Sequence, residues 1–341
     1  MSTLPVQSCA QELSCRSIAS NSERLACYDN AALRSTADAA VVTGVTPAEG
    51  SDLKHRRPAF TTAENNQSDT TASSVSDRWE LDPASKRGIF VLRPYKPMFI
   101  LPFSYTNRVN QSPFSTAPGH ALTSPVSLNP GEAKFQLSLK TKALENLFGD
   151  NGDLWLGYTQ SSRWQVYNGG ISRPFRETNY EPEALLVFRT SYELFGFKGT
   201  MASIGLNHQS NGRALPLSRS WNRIIGQATF ERDDWMVMLR PWWRLPESAG
   251  IDDNPGLENY VGRGEMTIAR KWHGHVFSMQ ARHSLRGGEN SRGSAQLSWS
   301  FPIAGDLKGY AQLFSGYGES MIDFNHRQTI LGLGFSVVDW F

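Results

Sequence analysis

From about residue 87 onward, apolar and polar side chains alternate with a period of two. Phe135, Leu137 and Leu139 alternate with Gln136, Ser138 and Lys140, and Ala202, Ile204 and Leu206 alternate with Ser203, Gly205 and Asn207. Ala295, Leu297, Trp299 and Phe301 repeat the pattern, and Leu331, Leu333, Phe335 and Val337 share one face near the C-terminus. Period two over runs of about ten residues predicts β-strands rather than helices. Candidate strands begin near Phe90, Lys134, Asp153, Ala184, Gly199, Trp221, Trp235, Tyr260, Gly274, Gly293, Leu307 and Gln328.

Two architectures fit such a pattern. A soluble sandwich uses strands of about five or six residues. A transmembrane barrel needs about 9–11 residues per strand, an apolar exterior, a polar interior and aromatic residues at the strand ends. Here the runs are long, the second face is rich in Gly, Ser, Gln and Lys, and Trp and Tyr gather near strand ends. The expected fold is therefore all-β: a twelve-stranded antiparallel transmembrane β-barrel with a mostly disordered N-terminal periplasmic extension. Residues 86–341, at about 11 per strand and about 10 per connection, give the same even number.

Composition marks where the barrel starts. All ten Trp lie at or beyond Trp79, and only Tyr28 and Phe60 are aromatic before it. Residues 31–78 are rich in Ala, Ser, Thr and Asp and cannot bury enough apolar area to offset their ordering entropy, so they read as a disordered linker. Residues 1–30 read as a short Cys-containing helical segment, and 79–341 as the barrel. Cys15 and Cys27 flank the helical piece and are placed to form a disulfide in an oxidising compartment; buried, reduced thiols are the alternative. No secretory leader is legible, which says nothing about the compartment.

Charge excludes little. Thirty-four basic against 32 acidic residues give no electrostatic reason to bind nucleic acid. The segment Arg176, Glu177, Asn179, Tyr180 and Glu181 reads as an interior network of hydrogen bonds and ion pairs rather than as a catalytic cluster, because lumen charges need partners. His273, His275 and His283 read as turn and lumen residues, and Trp242 and Trp243 as girdle aromatics.

The alternation breaks at one place. Ala202, Ile204, Leu206, His208 and Ser210 share a face, so an apolar row ends in an imidazole and a hydroxyl. On the next strand Asn222 shares a face with Ile224, Gly226, Ala228 and Phe230. Strand geometry thus brings together a candidate nucleophile, Ser210, a base, His208, and an orienting amide, Asn222. Polar residues at interfacial strand ends are the bland alternative, and a non-enzymatic channel or structural barrel is the function that goes with it.

Three stretches carry a resemblance: YTQSSRWQVYN with SRPFRETNYEPE (158–168 and 172–183), NHQSNGR with SRSWNR (207–213 and 218–223), and SGYGESMIDFN (315–325). Over roughly residues 86–341 the chain resembles the outer membrane phospholipase A family of Gram-negative bacteria. The resemblance implies a twelve-stranded barrel, dimeric when active, that hydrolyses acyl esters of phospholipids and lysophospholipids with calcium. It puts the nucleophile on Ser210, the base on His208, the orienting amide on Asn222 and an oxyanion-binding N–H on Gly212. It puts calcium ligands on Ser218, the Arg213 carbonyl and Ser172 of the partner subunit, and a dimer-interface glutamine on Gln160. Leu215 stands where the family usually carries an acid, which puts a second calcium site in doubt because leucine has no oxygen to offer.

Overall fold

The computed structural model describes Ile18, Ser20, Glu23, Cys27 and residues 75–341. The chain divides into two units, Met1–Gln67 and Ser68–Phe341. In the first, Glu23 and Cys27 are helical and Cys27 is disulfide-bonded. Cys15 and the linker proper lie outside the described residues.

The second unit begins with helix α1 (Val75–Trp79) and continues as strands. They are β1 (Arg93–Pro94), β2 (Met98–Thr106), β3 (Gly131–Leu144), β4 (Asp153–Trp164), β5 (Phe175–Leu194), β6 (Phe197–Ser210) and β7 (Ser220–Arg232). Then come β8 (Trp235–Arg244), the short helix α2 (Glu258–Val261), β9 (Gly264–Trp272), β10 (His275–His283), β11 (Gly293–Ala304), β12 (Leu307–Gly316) and β13 (Gln328–Val338). Every long strand pairs antiparallel with its sequence neighbours. The ring closes where β2 pairs with β13, Leu331 opposite Tyr105 and Leu333 opposite Phe103. Strands β2–β13 are the twelve expected; β1 is a two-residue addition along β3.

Three expected starts are corrected, one of them because Tyr260 lies in α2 and its strand begins only at Gly264. The first spanning strand begins at Met98, not near Phe90: 88–97 runs along β3 with only the two-residue β1 and contacts such as Phe90 N–H to the Lys142 carbonyl (2.8 Å). The strand expected from Ala184 already begins at Phe175. Its first half, RETNYE, is too polar to show an apolar face, yet the ladder with β4 continues through it.

Connections alternate in length, which orients the barrel. Turns at 195–196, 233–234, 273–274 and 305–306 are tight, whereas 107–130, 165–174, 211–219, 245–263, 284–292 and 317–327 are long. Outer-membrane barrels keep short turns on the periplasmic side and long loops outside. Phe195-Gly196 and His273-Gly274 both have positive φ at the two central positions, the conformation whose twist matches flanking strands.

Inside and outside separate by residue parity. Ile204, Leu206, Leu297, Leu331, Leu333 and Val337 face outward and are exposed, as a lipid-facing row requires. Inward residues include a charged set: Arg163 pairs with Glu319, Arg176 with Glu132 and Asp323, Arg223 with Glu181, and Arg240 with Glu183. The 317–327 connection supplies Glu319 and Asp323, so it is folded against lumen-facing side chains. At the other end α1 buries Trp79 against Tyr95 and Trp155, each 5.6 Å edge-to-face, with Lys140 Nζ 3.2 Å over the Trp79 ring. The boundary expected at residue 79 therefore falls inside a helix that belongs with the barrel.

Parity also corrects three side chains. Trp243 is outward, but Trp242 is buried and donates Nε1–H to the Gly262 carbonyl (2.8 Å). His275 stacks on Trp299 and Phe277 in an outward aromatic row rather than facing the lumen. Tyr180 belongs to the outer face, between Gln160 and Ser210, while Glu177, Asn179 and Glu181 face in.

Candidate active site

The site lies at the long-loop end of β6 and β7. His208 stands opposite Asn222 in their ladder, and Ser210 opposite Ser220. His208 Nδ1 is 2.8 Å from Asn222 Oδ1. All three candidates are half-buried on the outer face. Below them the same face carries Leu206 and Ile224, opposite one another, and then Trp243 opposite Ile224. Ser210, His208 and Asn222 thus sit above a lateral apolar row on the outer face.

Convergence on one face does not bring all three into contact. His208 and Ser210 make no hydrogen bond to one another among the described residues. With Nδ1 engaged by Asn222, the imidazole keeps Nε2 as its other polar atom, and catalytic contacts of this kind commonly tighten only when substrate arrives.

The connection 211–219 is held by residues that the sequence reading missed. Asn211 Oδ1 accepts the N–H groups of Arg219 (3.0 Å) and Arg213 (3.3 Å), and its Nδ2 donates to the Leu217 carbonyl (2.8 Å). Arg219 is fully buried and donates to the carbonyls of Pro216 (3.1 Å) and Ser218 (2.6 Å). Gly212 has φ +61°, and a Cβ there would lie 3.2 Å from Tyr180 Cε2. Its N–H and the Arg213 carbonyl are unengaged among the described residues, which leaves one donor and one acceptor free beside Ser210.

Asp253 was also missed, because it lies 35 residues beyond Ser218 in the next long loop. Its Oδ2 is 2.7 Å from Ser218 Oγ and 3.4 Å from Ser220 Oγ, while Oδ1 is 3.1 Å from His120 Nε2. A hydroxyl, a free carbonyl and a carboxylate all offer hard oxygen, which is what calcium takes. Ser172 is distant in sequence and exposed, in left-handed conformation at the end of the 3-10 turn Gly169–Ile171. Leu215 is exposed and adds no ligand. Gln160 lies on the outer face of β4, its Oε1 3.1 Å from Tyr158 Oη and its Nε2 3.5 Å from Ser162 Oγ.

A closed twelve-stranded antiparallel barrel with an apolar exterior and a polar, charged interior has the architecture of the outer-membrane class of barrels. Residues 75–337 match the family model of phospholipase A1, and the chain belongs to that family. A protein of Neisseria meningitidis serogroup B is 35% identical over 362 residues, 98% of this chain and 94% of its own. Outer membrane phospholipase A from Escherichia coli is a solved structure similar at TM-score 0.67 and 35% identity, over 75% of this chain and 95% of that one. The outer membrane phospholipase of Salmonella typhi, solved as a dimer with bound calcium, is similar at TM-score 0.66 and 34% identity, over 75% of this chain and 95% of that one. The protein is a phospholipase of the bacterial outer membrane.

Proposed function

We propose that the chain hydrolyses acyl esters of phospholipids and lysophospholipids with Ser210 as nucleophile, His208 as base and Asn222 as orienting amide. The observation that carries the reading is the 2.8 Å contact between His208 Nδ1 and Asn222 Oδ1 on the lipid-facing side of the strand that bears Ser210. A serine hydroxyl is a weak nucleophile until a base takes its proton. Ser210 Oγ attacks the ester carbonyl carbon and its proton passes to His208 Nε2. The Gly212 N–H donates to the oxyanion that forms. When the carbonyl re-forms, the ester C–O bond breaks and the imidazolium returns the proton to the departing alcohol. Water then attacks the acyl-serine with His208 again as base, releasing the fatty acid and restoring Ser210.

Asn222 is neutral and stabilises the imidazolium less than an aspartate would. Bound calcium would supply positive charge beside the developing oxyanion. The residues that would hold it are Ser218, the Arg213 carbonyl and Asp253, completed by Ser172 of the partner subunit; the calcium-bound dimer of the Salmonella relative supports this part of the reading. Gln160 lies on the face where the second copy docks. The Leu206 and Ile224 row then becomes the wall of an acyl-chain cleft, so assembly and metal binding both complete the site.

Calcium titration of fatty-acid release, run beside chemical cross-linking in detergent, tests assembly and metal together. Activity should rise with calcium in step with the cross-linked dimer. Chelator-resistant hydrolysis by a monomer would overturn this part.

A further inference from the structure

We propose that Glu247 is a positioning residue for the hydrolysis, setting which nitrogen of His208 carries the proton through the side chain of Asn222. The proposal rests on the Ser210, His208 and Asn222 reading above.

Glu247 lies in the 245–263 connection, just past the end of β8. That connection is pinned over Asn222, because the Leu245 N–H donates to the Asn222 carbonyl (2.8 Å). The Asn222 side-chain Nδ2 is 3.1 Å from Glu247 Oε1, and Glu247 Oε2 is 3.3 Å from Arg244 Nη2. Arg244 also pairs with Asp252 (2.6 Å) and Glu258 (3.2 Å), so one guanidinium is shared by three carboxylates. The side chains of Arg244 and Glu247 are only 10% and 13% exposed, which shields the pair from water.

An ionised carboxylate can only accept hydrogen bonds. The edge of the Asn222 amide that faces Glu247 must therefore be its NH2, and the edge that faces His208 must be its oxygen. That oxygen in turn requires a proton on His208 Nδ1. The neutral imidazole then carries its lone pair on Nε2, the atom that has to take the Ser210 proton. An asparagine without this partner can present either edge. Turned over, its NH2 would face Nδ1 and the ring proton would sit on Nε2, where it blocks base function. The other charged groups linked to the pair are Asp252 and Glu258 on Arg244, with Arg263 on Glu258.

The test compares Glu247→Gln, Glu247→Ala and Glu247→Asp with the unaltered full-length protein in detergent at saturating calcium. Glutamine keeps the size and can bond the amide from either edge, so it removes the acceptor-only constraint and the charge alone. E247Q and E247A should lose kcat roughly tenfold, the scale set by groups that orient an imidazole from behind. KM should stay within about twofold, because no ground-state contact with lipid is removed. The acid limb of kcat/KM should move to lower pH in E247Q, since protonating the base of the free enzyme no longer places its positive charge near a carboxylate. E247D should recover most of the rate. Wild-type kcat and pH profile in E247Q would overturn the proposal, as would a loss confined to KM. E247Q and E247D alone decide the matter if E247A does not fold. Ser210→Ala separates the two readings: an active S210A overturns the site itself, whereas an inactive S210A beside a wild-type E247Q overturns only the role of Glu247.

Discussion

Asn222 lies directly across the ladder from His208, with Oδ1 2.8 Å from Nδ1. Two neighbouring strands in register thus hold the imidazole from one side, leaving its other nitrogen for the serine two residues further along the same face. Replacing Asn222 by alanine frees the ring. The expected loss in kcat is about 10- to 100-fold with KM little changed, and steady-state hydrolysis of a short-chain phospholipid measures it. An N222D variant should not match the native protein, because the new carboxylate would stand against Glu247.

Asp253 holds Ser218 Oγ at 2.7 Å. If the two share a calcium ion, Asp253→Asn should raise the calcium needed for half-maximal activity by roughly tenfold or more, since a hard cation loses a charged ligand. Maximal activity should recover at high calcium. A calcium titration of both proteins decides it; an unchanged midpoint removes Asp253 from the metal site.

Gly212 combines positive φ with a near neighbour in Tyr180. Gly212→Ala should leave barrel formation intact, since the residue lies past the end of β6. If its N–H binds the oxyanion, kcat should fall because alanine keeps that N–H but disfavours the positive φ that aims it, by up to the roughly hundredfold that one wholly lost donor would produce. Heat-modifiable gel migration reports folding, and hydrolysis reports the rest.

Acid should loosen the loop folded into the lumen. Burial alone would raise the Glu319 carboxyl, but Arg163 and Lys134 beside it hold it well below the usual range. Burial would likewise raise Asp323, and the Arg176 guanidinium holds it down. For depressed carboxylates the contribution to stability is full above the unfolded value, near pH 4, and is lost as pH falls through the folded one. Asp323→Asn should therefore cost about 3 kcal/mol at neutral pH by leaving Arg176 short of a partner. The gap to the native protein should narrow below about pH 4. Urea midpoints across that range measure it; a gap independent of pH would contradict the ion-pair account.

Much of this was legible in the sequence because lipid and lumen impose opposite demands on alternate residues. Leu331, Leu333 and Val337 could face only one way, and so could Ile204 and Leu206; strand number and the outward position of His208 and Ser210 followed. The first half of β5 was not legible. RETNYE has no apolar face, because inward Glu177 and Asn179 are hydrogen-bonded to one another and Glu181 is ion-paired, while outward Tyr180 stands opposite Ser210. Trp242 misled because tryptophan suits both a girdle and a core, and only parity against Trp243 separates them. Asp253 and Glu247 lie in a long loop whose path no periodicity describes. They reach the site through tertiary hydrogen bonds to Ser218 and Asn222, and nothing local in the sequence marks that approach. The proposed catalytic roles themselves came from the family resemblance, which the strand geometry supports.

The measurement that bears most directly on the central claim is fatty-acid release from phospholipid by the native protein and by Ser210→Ala, each shown to be folded and each assayed with calcium and with chelator. The account predicts hydrolysis by the native protein only when calcium is present, and none above background by the variant under either condition. Calcium-dependent hydrolysis by S210A at the native rate would contradict it and place the nucleophile elsewhere on the barrel.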